Sequence, residues 1–251
     1  MTGGRPARTV RVWDLPVRVF HGLLALLIAC SFITVELGGN AMVWHERSGI
    51  AILVLIGFRV IWGFVGSRHA RFASFVRGPA AVRASLRGAP HGLGHSPLAA
   101  LSVLALLGAV GFQAVTGLFA NDDIAFEGPL AAKVSGKVSG LLTTLHEGNE
   151  TILMALISLH LAAVVWYTLV KRRSLIKPMI TGDAPVQAPG AAGEAAGSAP
   201  STRGAGIPSP DTRSADIPIE DAPSRDDLWM RLWALLIAAG CATAAWVWLI
   251  R

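Results

Sequence analysis

Four histidines have a type and a spacing that could do chemistry together: His21, His45, His146 and His160. An imidazole offers one lone pair to a metal and one N–H to a neighbour, and is the commonest metal ligand among side chains. His146 and His160 are fourteen residues apart. On one helix that spacing is about 21 Å along the axis and only about 40° around it. One face of one helix would therefore carry two imidazoles, at opposite ends of a bilayer-sized interval. His21 and His45 stand near the opposite ends of the first two apolar runs, which predicts the pairs His21 with His160 and His45 with His146. Two cofactors, each held by two histidines inside a helix bundle, would need that arrangement, and haem is the cofactor that takes such axial pairs.

Arg59 follows His45 by the same fourteen residues and is predicted at the depth of His21 and His160. A cation inside an apolar run needs an anionic partner. With no Asp or Glu expected at that depth, a haem propionate is the predicted one. Arg18 and His95 are further candidates for propionate contact. Gly22, Gly49, Gly111 and Gly117 could let a flat ring approach a helix backbone, although glycine also packs helices directly. Zinc would gather its ligands into one cluster rather than two distant pairs. A proton relay would call for carboxylates between the histidines. Two haem groups are the better reading, against the plainer alternative of histidines that only hydrogen-bond between helices. His69 and His91 fall in a basic connection and are read as solvated.

The elements that must position these residues are membrane spans. The 251-residue chain is 53% hydrophobic and 15% charged, against about a quarter charged in soluble domains. Its apolar residues gather into five runs, near Val17–Leu37, Ser48–Gly66, Leu98–Phe119, Ile152–Val170 and Leu228–Ile250, each long enough to cross a bilayer. Polar turns, His45-Glu46-Arg47 and His146-Glu147-Gly148, precede the second and fourth. The first run continues well past Cys30, so it reads as a span rather than a cleaved leader. The net charge of +6 sits in the connections, which argues for a membrane topology and against a nucleic-acid partner. Arg5, Arg8, Arg11 and Arg18, then Arg68, Arg71, Arg77, Arg83 and Arg87, then Lys171, Arg172, Arg173 and Lys177 mark one side. The positive-inside rule makes that side cytoplasmic, N-terminus included.

Cys30 and Cys241 lie in apolar runs and read as small buried hydrophobes. No Cys-x-x-Cys-His occurs, so any haem is held non-covalently. Residues 183–227 are rich in Ala, Pro, Gly and Ser and read as a disordered cytoplasmic linker. The expected division is 10–182 as a four-helix membrane domain, 183–227 as the linker and 228–251 as a tethered fifth helix bearing interfacial tryptophans. The fold class is an all-α membrane protein, a four-helix haem-binding bundle plus that fifth helix.

Several stretches together resemble the bacterial cytochrome b561 family. They are Val12-Trp13-Asp14-Leu15-Pro16-Val17-Arg18-Val19-Phe20-His21, Phe58-Arg59-Val60-Ile61-Trp62-Gly63-Phe64-Val65-Gly66-Ser67 and Gly94-His95-Ser96-Pro97-Leu98. The pair His146 and His160, followed by Lys177-Pro178-Met179-Ile180-Thr181-Gly182, completes the pattern. The resemblance covers about Val10–Gly182. It implies a di-haem b core in the bacterial inner membrane, with His21, His45, His146 and His160 as axial ligands. It also implies electron passage between the quinone pool and a redox partner, such as a c-type cytochrome or a dehydrogenase or hydrogenase subunit. Homodimerisation stays open. The rival expectation is a membrane anchor or assembly subunit that recruits a soluble redox enzyme without quinone turnover of its own.

Overall fold

The computed structural model describes residues 9–76, 78–87, 97–172, 174–185 and 226–250, with side chains to 247. The expectations for His91 and His95 and for most of the linker lie outside the described residues.

The described residues are mostly helical. Asp14 caps α1 (Leu15–Leu37) by accepting the Val17 N–H at 2.8 Å, and Pro16 sits in the first turn, where its missing N–H costs nothing. α1 stops at Gly38 and Gly39, whose φ of 60° and 52° suits residues without a Cβ. The connection is so short that α2 (Met42–Val65) must return antiparallel along α1. A 3₁₀ turn (Arg68–Ala70), α3 (Phe72–Phe75) and α4 (Pro79–Leu86) follow before α5 (Pro97–Gly117). Ser135 caps α6 (Gly136–Leu169) by accepting the Val138 N–H. α7 (Ile176–Thr181) and α8 (Leu228–Ile250) complete the helices.

Among the described residues five helices are long and apolar enough to cross a membrane, and each covers one predicted run to within one or two residues of its C-terminal end. The largest departure is the fourth. α6 begins sixteen residues before Ile152 and has 34 residues, about 51 Å at helical rise against a hydrocarbon core of about 30 Å. Apolar character marks the part of a helix that lies in lipid, not the whole helix. The first turns of α6 instead hold the α5–α6 loop. The Ser139 hydroxyl donates to the Phe119 carbonyl at 2.8 Å, and Thr143 Oγ1 accepts the Asn121 N–H at 3.0 Å.

Side-chain packing joins α1 to α2, α2 to α5 and α5 to α6, while α6 has at most marginal backbone proximity to α1 and α2. An apolar cluster bridges that gap at mid-height, with Ile52 and Ile56 of α2, Val110 and Ala114 of α5 and Leu153 of α6. Leu153 is seven residues from both His146 and His160, so the cluster forms a waist between two open ends.

One end is basic and closely knitted. β1 (Thr9–Arg11) pairs antiparallel with β2 (Asp183–Pro185), and the Gly182 carbonyl accepts the N–H groups of Val12 and Trp13 at 2.9 and 3.1 Å. Two stretches quoted from opposite ends of the family-like region thus meet. The fifth helix is more than a tethered extra. Ala234 is buried among Val12, Trp13, Val17, Phe20, Phe58 and Trp62, with Met230, Ile237, Ala238 and Cys241 packed around it. Asp226 secures its start, accepting from Arg11 Nη1 at 2.6 Å, Arg231 Nε at 3.2 Å and the Leu15 N–H at 3.3 Å. Burial pushes the Asp226 carboxyl up, and the hydrogen bonds from Arg231, Leu15 and Arg11 outweigh it, leaving the group below the usual carboxylate range.

His69 departs from expectation. It is 7% exposed rather than solvated, because the turn Arg68–Ala70 folds inward with Ala70 and Ser67 also buried.

Candidate haem sites

At the far end, opposite the basic one, His45 of α2 and His146 of α6 face each other across the gap. Their ring centroids are 6.3 Å apart and the rings are nearly perpendicular. Each Nδ1 lies 3.0 Å from a main-chain carbonyl, that of Ser31 for His45 and that of Gln113 for His146. A carbonyl can only accept, so each Nδ1 carries the proton and each Nε2 keeps its lone pair. That is the tautomer a ligating histidine needs, held by the kind of partner that orients one.

The neighbouring residues fix these rings further. Ser31 and Ser48 hydroxyls lie 2.8 Å apart and clamp α1 to α2 beside His45. Thr116 Oγ1 lies 3.3 Å from His146 Nδ1. Gln113 Nε2 lies 3.2 Å from His146 Nε2, a contact that a metal bound at that nitrogen would replace, and Gln113 Oε1 accepts from Asn149 Nδ2 at 2.6 Å. A Cβ on Gly117 would stand 2.8 Å from His146 Cε1, so glycine is required for the ring to sit where it does. A Cβ on Gly111 would only reach ordinary contact with Ile56 of α2, and Gly22 and Gly49 face open space. A cavity of about 340 Å³ opens here, walled by Ile28, Phe32, His45, Gly49, Gln113 and His146.

At the basic end His21 is exposed, His160 is half-buried, and the two lie within electrostatic reach of each other. Neither imidazole makes a hydrogen bond among the described residues. Charged groups are buried at the same end. Arg59 is 3% exposed and its guanidinium carbon lies 5.0 Å from the Phe72 ring centre. Its Nη1 is buried without a hydrogen-bond partner among the described residues. The negative charge that acts on Arg59 is that of Asp14, without a hydrogen bond or ion pair between them among the described residues. Asp14 lies just outside the apolar run, at the cap of α1, and is turned inward. It is 1% exposed and also accepts the Trp62 indole N–H at 3.1 Å. Arg18 is committed elsewhere, with Nη2 donating to the Ile180 carbonyl and a buried Nε left unpartnered among the described residues.

The donor set suits haem. Two metal–nitrogen bonds of about 2 Å plus the half-width of each ring come to about 6 Å, the separation seen between His45 and His146. Among the described residues no three of His, Cys, Asp or Glu converge on one point. Asp14, Gln113, Thr116 and Asn149 were missed as site residues by the sequence reading. Gln113 and Thr116 carried a signal, because polar side chains inside an apolar run rarely lack a task.

Residues 12–182 match the sequence profile of the prokaryotic cytochrome b561 family. The chain belongs to that family. It is a multi-pass membrane cytochrome b of a bacterial type, for which haem b and transmembrane electron transfer with a redox partner are the family's business. It is also similar to a probable Ni/Fe-hydrogenase B-type cytochrome subunit from Rhodobacter capsulatus, 26% identical over 219 residues, which cover 71% of this chain and 82% of the relative. No solved structure gives a significant match.

Proposed function

We propose that this cytochrome b561-family protein holds two haem b groups, one near each end of the bundle, and carries electrons between a quinone pool and a redox partner protein. The observation that carries the reading is the far-end histidine pair, with both Nδ1–H groups tied to main-chain carbonyls and a cavity between the rings. His45 and His146 would hold one haem at the far end, and His21 and His160 would hold the other at the basic end. Bound there, haem b supplies a one-electron ferric/ferrous couple.

The chain's own groups orient the ligands and set the field. The Ser31 and Gln113 carbonyls fix the far-end imidazoles. Arg59, with an orphaned buried N–H, offers a propionate the charge-assisted hydrogen bond that Asp14 leaves unmade. Arg18 supports the same end. The apolar waist around Leu153 keeps water from between the two sites. The Lys/Arg asymmetry of the connections supports a cytoplasmic basic side, as the positive-inside rule expects of an inner-membrane protein. The name of the Rhodobacter capsulatus relative favours a hydrogenase as the redox partner.

The test is a reduced-minus-oxidised spectrum with haem quantitation on detergent-purified protein. Two haem b per chain, reducible by a quinol, is the expected result. In His160→Ala the basic-end haem should be lost and the far-end one kept. A protein that stays colourless when haem is supplied, or a His160→Ala variant that loses no haem, would end the reading.

A further inference from the structure

We infer that the basic end carries a built site for one anionic phospholipid, in a cleft between the end of α2 and the segment leading into α3. The cleft has a volume of about 460 Å³ and is lined by Gly63, Phe64, Arg68, Arg71, Ala73 and Ser74. Its two guanidinium groups are unspent. Among the described residues neither Arg68 nor Arg71 pairs with a carboxylate or donates a side-chain hydrogen bond. The Ser74 hydroxyl proton is committed to the Arg71 carbonyl at 2.6 Å, so recognition falls on the two arginines. Paired guanidinium groups suit a phosphate, which accepts from their planar forks.

The opposite wall has the other chemistry. Phe64 is 69% exposed and belongs to a helix long and apolar enough to cross the bilayer. In a bilayer such a side chain meets lipid. A ligand that satisfies the whole cleft is therefore amphipathic, with a phosphate at Arg68 and Arg71 and an acyl chain running along α2 past Phe64. A free phosphate would leave that apolar wall unused. Juxtamembrane basic pockets of this kind select anionic headgroups over zwitterionic ones.

The site also has a structural consequence. The Phe72 ring occupies the space over Gly63 where any Cβ would collide with it, and Arg59 stands over its face. Phe72 lies between Arg71 and Ala73, both of which line the cleft. A lipid seated there holds this segment against α2 and keeps Phe72 beneath Arg59. None of this depends on the haem assignment.

The test uses the full chain, purified in mild detergent and washed, with retained lipid identified by mass spectrometry. Thermal unfolding is then compared in nanodiscs of phosphatidylglycerol and of phosphatidylcholine, and in detergent with inorganic phosphate. The wild type should retain an anionic phospholipid and gain several degrees in Tm only in phosphatidylglycerol. Arg68→Gln/Arg71→Gln should lose both the lipid and the gain, and Arg83→Gln, on α4 outside the cleft, should keep both. Ala73→Trp fills the cleft from an exposed position and should also lose both, which decides the matter if the double variant fails to fold. Equal gains in phosphatidylcholine, a gain from inorganic phosphate alone, or undiminished lipid in the filled-cleft variant would each overturn the site.

Discussion

The two ends of the bundle hold histidine pairs of similar composition in very different ways. At the far end geometry is set by neutral hydrogen bonds. His45 and His146 are tied to main-chain carbonyls, a Gln–Asn–Thr network surrounds His146, and Gly117 leaves room for its ring. At the basic end the imidazoles of His21 and His160 have no such ties among the described residues, while the same end buries Arg59 and Asp14 and the Nε of Arg18. The far-end site is thus preorganised before any cofactor arrives, so little ordering is left to oppose binding. The basic-end site is an electrostatic environment whose last hydrogen bonds wait for an anion. The difference predicts a more tightly held haem at the far end and a salt- and charge-sensitive one at the basic end.

Four experiments break or sharpen that contrast. The largest effect belongs to the ligands themselves. His146→Ala should abolish the far-end haem and His160→Ala the basic-end haem, each halving haem per chain by pyridine haemochrome assay, and equal loss of both haems in either variant would dissolve the distinction. Next comes Asp14→Ala, which touches only the basic end. Losing the helix cap costs roughly 1 kcal/mol. Leaving the Trp62 indole N–H buried and unpaired costs about 1–3 kcal/mol more. The readout is thermal unfolding together with release of the basic-end haem, and an unchanged Tm would show that Asp14 bears no such load.

Gly117→Ala is the far-end counterpart. Its methyl group would meet His146 Cε1 at 2.8 Å, an overpacking that costs about 1–3 kcal/mol. The far-end haem signal should broaden or shift in electron paramagnetic resonance while the basic-end signal stays. The smallest effect concerns the far-end loop. Hydrogen bonds from the N–H groups of Phe126, Ala125 and Ile124 hold the Asp122 carboxyl below its ordinary value. A depressed carboxylate pKa stabilises the fold above the unfolded value of about 3.9 and loses that contribution as pH falls through the folded value. The turn should therefore be protected in amide hydrogen exchange at pH 5 to 7 and open only below about pH 4. Opening at pH 6 would refute the Asp122 anchor.

Much of this was legible in the residues. The five apolar runs became five long helices, and the fourteen-residue spacing put His146 and His160 on one helix, because a helix has a fixed rise and turn. The proximity of the His45 and His146 rings was expected from their place at the same end of their spans. The inward turn of His69, the action of the Asp14 charge on Arg59 and the docking of α8 were not, because each depends on contacts between distant segments.

The sequence by itself determined which stretches are apolar enough to enter a bilayer, which of them carry imidazoles, and at what intervals along a helix axis. Those are local properties, set by side-chain transfer energies and backbone geometry. Only the tertiary structure decided which carbonyl holds each far-end imidazole, which carboxylate's charge acts on Arg59, and that the fifth helix closes over the basic end. Those are relations between residues as much as 215 positions apart, as in the bond from Arg11 to Asp226, and no local pattern encodes where a fold will bring such groups together.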